Sequence, residues 1–145
     1  MNNDNAATRW SQRESTWAST FLAERGFTTQ AQREHRPSST FILDHVAILY
    51  GFERNQFIRD RRVGCAKARH IAMFVARELT LESLPQIAVA FGKKDHTTVM
   101  YACNRIRDRA AIEPSFAKEV ADVTSLICES YTAYRENIEA QRRAA

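Results

Sequence analysis

Apolar residues recur along most of this chain at intervals of three and four, the spacing that lines one face of a helix. FILDHVAILYG sets Ile42, Val46 and Leu49 or Tyr50 on one side and stops at Gly51. A short helical piece, ERNQFIRD, follows, and then a basic loop from Arg59 through Asp60, Arg61, Arg62 and Val63 to Gly64. Ala68, Ile71, Ala72, Val75 and Leu79 form the next stripe and predict a helix from Lys67 to Leu79. Ser83 is an N-cap candidate, Pro85 is tolerated in a first turn, and Leu84, Ile87, Ala88 and Phe91 give the inner face of a helix over 84–91 that Gly92 ends. Asp95 is the next N-cap candidate, followed by Val99, Cys103, Ile106 and Ala110 in a helix over 96–109. Pro114 opens a long last helix, striped by Phe116, Val120, Val123, Ile127, Tyr131 (or Ser130), Tyr134 and Ile138. No internal repeat is visible. The pattern predicts an all-α fold: a compact helical domain with a helix-turn-helix and a long C-terminal helix.

The flanks differ in character. Residues 1–40 read as a polar, largely disordered segment. Within it STWASTFLAER, residues 15–25, allows a short helix, with Trp17, Phe21, Ala18, Leu22 and Arg25 at helical spacing and Gly26 as its stop. Residues 41–138 read as the folded domain and 139–145 as a disordered tail.

Composition narrows the class. A chain of 145 residues holds one ordinary domain. Four glycines and three prolines are too few for an all-β fold with many tight turns. No run of about 18 apolar residues is present, so no membrane span is expected. The N-terminus, MNNDNAATRW, lacks an apolar signal core, which predicts a cytoplasmic protein. Cys65, Cys103 and Cys128 form no CxxC pair and are expected to be reduced, buried small hydrophobes. His35, His45, His70 and His96 show no metal-ligand spacing and no Cys–His pair is close, so no metal, no cofactor and no enzymatic activity are expected. The net charge of +4 is mild, but residues 41–110 carry 12 basic and 7 acidic groups, a local balance of +5. That midsection is where an anionic partner such as nucleic acid would bind.

Gly92-Lys93-Lys94-Asp95 joins two short helices, the outline of a helix-turn-helix. The outline alone is common. What sharpens it is the start of the second helix, where Asp95, His96, Thr97 and Thr98 are all short or hydrogen-bonding. A helix N-terminus offers free N–H groups and a positive dipole end to phosphate. In a major groove a threonine methyl can touch a thymine methyl, a carboxylate can accept from cytosine N4, and a histidine can donate to a purine acceptor. The alternative at this point is plain: Asp95 and Thr98 as an ordinary cap and His96 as a solvated surface group.

SLPQIAVAFGKKDHTTVMYACNRI, residues 83–106, closely resembles the C-terminal DNA-binding domain of the bacterial chromosomal replication initiator, DnaA. The signature is a Gly and a basic residue before Asp-His-Thr-Thr, then two aliphatics, Ala-Cys and a basic–aliphatic pair. Here Met100-Tyr101 precedes Ala102-Cys103, and Arg105-Ile106 closes the run. A weaker resemblance reaches from Phe41 to Tyr134. The resemblance implies base contacts in the major groove by Asp95, His96, Thr97 and Thr98, and a minor-groove arginine at Arg61, beside Arg59 and Arg62. It implies phosphate contacts at Arg69, Arg77, Leu84, Pro85 and Arg105, with Lys93 and Lys94 in the turn between them. Arg is suited to a narrow, negative minor groove, and cations on flanking helices are suited to phosphates. The alternative for Arg77 is a solvated charge beside Glu78.

The chain also departs from the family. His70 stands in place of a polar amide that meets the backbone, Lys93 in place of a second Gly, and Lys94 in place of Arg. Val63 and Gly64 reduce the polar character of the basic loop. A full initiator carries an ATPase domain with GxxxxGK[ST]; here the only Gly-Lys is Gly92-Lys93, followed by Lys94. The expectation is a free-standing DNA-binding domain that binds no nucleotide. Its expected partner is double-stranded DNA at DnaA-box-like sites, in regulation of replication initiation, with a cytoplasmic, nucleoid-associated location. The alternatives are a transcriptional regulator, or an adaptor acting on the replication initiator protein through Trp10, Trp17, Phe21, Tyr131, Tyr134 and Ile138.

Overall fold

The computed structural model describes residues 36–144, which form six helices and no strand. In chain order they are α1 (Ser39–Leu49), α2 (Arg54–Arg59), α3 (Val63–Leu79), α4 (Leu84–Ala90), α5 (His96–Ile112) and α6 (Pro114–Ala144). The all-α expectation holds for these residues. The short helix expected over 15–25 lies outside them.

α3 is the central element. It packs against α1, α2, α4 and α5, and α5 in turn packs against α4 and α6. This explains a difference from the sequence pattern. The apolar stripe of α3 predicts one buried face, yet Ile71 through Ala76 are buried without interruption. A helix covered on several sides buries residues that its own periodicity would assign to solvent. Ala68, Ala72 and Ala76 are small enough to let neighbouring helices approach closely.

Both left-handed glycines close helices by the same hydrogen-bond pattern. Gly51 (φ 78°) donates to Ile48 O at 3.1 Å while Phe52 N donates to Ala47 O at 2.8 Å. Gly92 (φ 68°) donates to Val89 O at 3.0 Å while Lys93 N donates to Ala88 O at 2.8 Å. These are Schellman closures, in which a residue at positive φ lets two chain amides reach back to the last carbonyls. The remaining joints are polar. Glu119 of α6 accepts from Tyr50 Oη at 2.7 Å and from Lys67 Nζ at 2.9 Å, tying α1 and α3 to the last helix. Arg109 lies 4.1 Å over the Phe116 ring and pairs with Glu113 at 3.1 Å, fixing the corner between α5 and α6.

The outer boundaries shift. The break drawn before Phe41 falls inside α1, because Ser38 caps that helix by accepting from Phe41 N at 3.1 Å. Buried Ser39 donates its backbone N–H to Glu82 at 2.9 Å and its hydroxyl to the same carboxylate oxygen. At the other end, the residues expected as a tail from 139 continue α6 to Ala144. Cys65, Cys103 and Cys128 are buried and in no disulfide, as expected. Among the described residues no helix is long and apolar enough to cross a membrane.

Candidate nucleic-acid interface

The turn between α4 and α5 is built from local rules. Ser83 and Gln86 form a capping box: Ser83 Oγ accepts from Gln86 N at 3.3 Å, and Gln86 Oε1 accepts from Ser83 N at 2.8 Å. Pro85 has no N–H and that of Gln86 is taken, so of the first three amides of α4 only that of Leu84 is left to an outside acceptor. Replacing Ser83 with Ala should therefore cost about 1 kcal/mol of stability, read in chemical denaturation, while Ser83→Asp should retain most of it. Equal losses in both variants would rule out the cap. At the C-terminal end a Cβ on Gly92 would stand 3.0 Å from Ile58 Cγ2, so this glycine serves close packing against α2 as well as its φ.

Asp95 is the N-cap of α5. Its Oδ1 accepts from Thr97 N at 2.9 Å, and this hydrogen bond holds the carboxyl below its ordinary range. Lys94, Asp95, His96 and Thr97 are exposed and Thr98 is half-buried, so the four-residue run opens to solvent together. His96 Nδ1 lies 3.5 Å from Asp95 Oδ1. The capping role of Asp95, weighed in the sequence as the alternative to base reading, is thus present.

Lys93 and Lys94 put positive charge immediately before this helix end. Burial, then the charges of Arg69 and Arg61, push the Lys93 ammonium below its usual value. Burial, then Arg69, Arg105 and Lys93, do the same to the His70 imidazole. The fold therefore gathers cations from the loop before α3, from α3, from the turn and from α5. Arg77 is half-buried in the last turn of α3, and exposed Pro85 and half-buried Leu84 begin α4. Arg77 lies roughly 20 Å along α3 from its N-terminal end.

Arg69 departs from its expected placement. Its residue is 8% exposed, and Nη1 donates to Phe57 O at 3.0 Å and Asp60 O at 2.8 Å. Nη1 is thus taken by two main-chain carbonyls of the Phe57–Asp60 segment, and little of the residue reaches solvent. The basic loop is also shorter than the sequence suggested. Val63 and Gly64 belong to the first turn of α3, leaving Asp60, Arg61 and Arg62 as the connection. The reason is a local lock: Asp60 accepts from Arg62 N and Arg62 Nε, each at 2.8 Å, and these bonds hold its carboxyl at about 2.

A family model described as the bacterial dnaA protein helix-turn-helix matches residues 40–106. This segment is a DnaA-type helix-turn-helix domain. The chromosomal replication initiator protein DnaA of Symbiobacterium thermophilum is 41% identical over 83 residues, 57% of this chain and 18% of that protein. That of Gluconobacter oxydans is 47% identical over 55 residues, 38% of this chain and 12% of that protein. The chain thus spans less than a fifth of the length of these curated relatives. A solved structure described as a DNA replication initiation factor has a TM-score of 0.59 at 27% identity, covering 77% of this chain and 35% of that one.

Within the DnaA-type domain the sequence reading missed one member of the surface. Tyr101 Oη accepts from Arg105 Nη1 at 2.9 Å, with the guanidinium 5.6 Å from the ring centroid. His70 meets the same ring edge-on, with centroids 6.3 Å apart. Thr97, Tyr101 and Arg105 fall at successive four-residue steps on α5. That spacing could have revealed the pair, since i,i+4 neighbours share a helix face.

Proposed function

We propose that the DnaA-type domain binds double-stranded DNA sequence-specifically, at initiator-type sites, and acts in the control of replication initiation. The observation that carries this reading is the exposed start of α5, Asp95–Thr97, immediately preceded by Lys93 and Lys94. In it the N-terminus of α5 enters the major groove. His96 and Thr97 face base edges with Thr98 deeper and Asp95 both capping and accepting from a cytosine amine. Arg61 reaches the adjacent minor groove. Lys93, Lys94, Arg105, Arg77 and the Leu84 amide meet phosphates, with Pro85 in van der Waals contact. The roughly 20 Å that α3 runs from its N-terminal end to Arg77 corresponds to about six base pairs at 3.4 Å each. A location on the nucleoid follows from such binding.

An adaptor acting on the replication initiator is less well supported. Tyr131 of α6 already meets the Phe41 ring at 5.3 Å, and Tyr134 meets it at 5.6 Å. These rings contribute to the domain's own packing, although Tyr134 keeps 51% exposure.

Anisotropy titrations of an initiator-type duplex and a scrambled duplex test the proposal. With Arg77, Lys93, Lys94 and Arg105 each neutralising a phosphate, the log–log salt slope should approach about −4. A fourfold rise in salt should then weaken binding by a few hundredfold. A flat salt response, or equal affinity for both duplexes, would sink the proposal. Chromosomal occupancy in cells separates the biological uses. Peaks at initiator sites near an origin support replication control, whereas scattered promoter peaks support transcriptional regulation.

A further inference from the structure

We infer that Arg69 is a positioning residue for Arg61: it holds the Asp60–Arg62 connection in the shape that presents Arg61, and does not itself touch DNA. The inference rests on the DNA-binding reading above and adds a residue that acts on DNA only through another.

α2 has six residues, too few to be stable without tertiary support, and its last carbonyls have no partners within the helix. Arg69 reaches back from α3 to supply them. Nη1 donates to Phe57 O at 3.0 Å and to Asp60 O at 2.8 Å, placing a cation at the negative end of α2. Cys65 Sγ adds a contact to Phe57 O at 3.5 Å. The other side of the connection is held by Asp60, whose carboxylate accepts from Arg62 N and Arg62 Nε. Residue 60 is therefore fixed through its main chain by Arg69 and through its side chain by Arg62. Arg61 stands between two tied neighbours with its own side chain exposed. Fixing the backbone in advance removes part of the ordering cost of binding, which is how a residue with no ligand contact raises affinity.

Two measurements decide it. Phenylglyoxal labelling of the intact protein, read by mass spectrometry, should modify Arg61 and Arg105 in the free protein and spare them when duplex is bound. Arg69 should remain unmodified in both states. Labelling of Arg69 in the free protein that DNA then suppresses would overturn the inference, and this arm needs no variant to fold. The second measurement is a double-mutant cycle. Arg69→Met should weaken binding to the initiator-type duplex about as much as Arg61→Ala does. In the Arg61→Ala background it should change affinity by no more than about twofold. An equal loss in both backgrounds would show that Arg69 makes a contact of its own. Wild-type protein that binds neither duplex would instead refute the DNA-binding reading, so the two failures are distinct.

Discussion

Replacing His96 with Ala is expected to weaken binding to the preferred duplex by about 1–3 kcal/mol, roughly ten- to a hundredfold, while scarcely changing affinity for scrambled DNA. His96 is the first residue of α5 and is exposed. The cap is made by Asp95 through Thr97 N, so loss of the imidazole removes a base-edge hydrogen bond without undoing the helix start. The contrast is Arg105→Ala. Its guanidinium rests on Tyr101, and its proposed role is to neutralise a phosphate. That variant should weaken both duplexes by a similar factor and make the salt slope about one unit shallower. Circular dichroism should show both variants folded. Should His96→Ala lose affinity equally on the two duplexes, α5 would not be the reading helix.

Phe91→Ala should have the largest effect on stability, about 3–5 kcal/mol. Phe91 is fully buried at the C-cap of α4, immediately before the left-handed Gly92 whose Cα side faces Ile58. Truncation leaves a cavity where α4 turns toward α5, and the Schellman closure that spans Phe91 leaves the backbone little room to collapse into it. Against a total of about 5–15 kcal/mol for a domain, that loss is a large fraction. It should appear as a shift of the urea midpoint with an unchanged slope. A cost below about 1 kcal/mol would mean that the ring is not packed in the turn.

The features that depend on a few adjacent residues were legible in the chain. Gly51 and Gly92 stop helices because only glycine takes positive φ there without strain. Ser83 with Gln86, and Asp95 with Thr97, satisfy helix-start amides within three residues. Pro114 begins α6 where the sequence put it. The spacing of Ile42 and Val46, of Ile87 and Ala88, and of Val99, Cys103 and Ile106 identified residues that are buried in each helix. The Asp-His-Thr-Thr run could be recognised for the same reason, since it is contiguous and sits at a helix start.

What periodicity misplaced depends on neighbours distant in sequence. Leu49 reads as the end of the α1 stripe but is 45% exposed, and Leu43 and Ala47 are buried instead. α1 turns that side to α3, a choice its own pattern leaves open. The exposed end of α6 kept no buried stripe beyond Cys128, yet remains helical to Ala144.

By itself, then, the sequence determined the helical class, the stops and caps, and the exposed run at the start of α5, because each is settled by backbone conformation and hydrogen bonds spanning a few residues. Only the tertiary structure decided which cations face outward. Arg61 and Arg69 are both basic residues near the start of α3, and no local rule separates them. The fold does so by bringing the carbonyls of Phe57 and Asp60 to Arg69, whose burial requires those bonds, and by leaving Arg61 between two fixed neighbours with its charge in solvent.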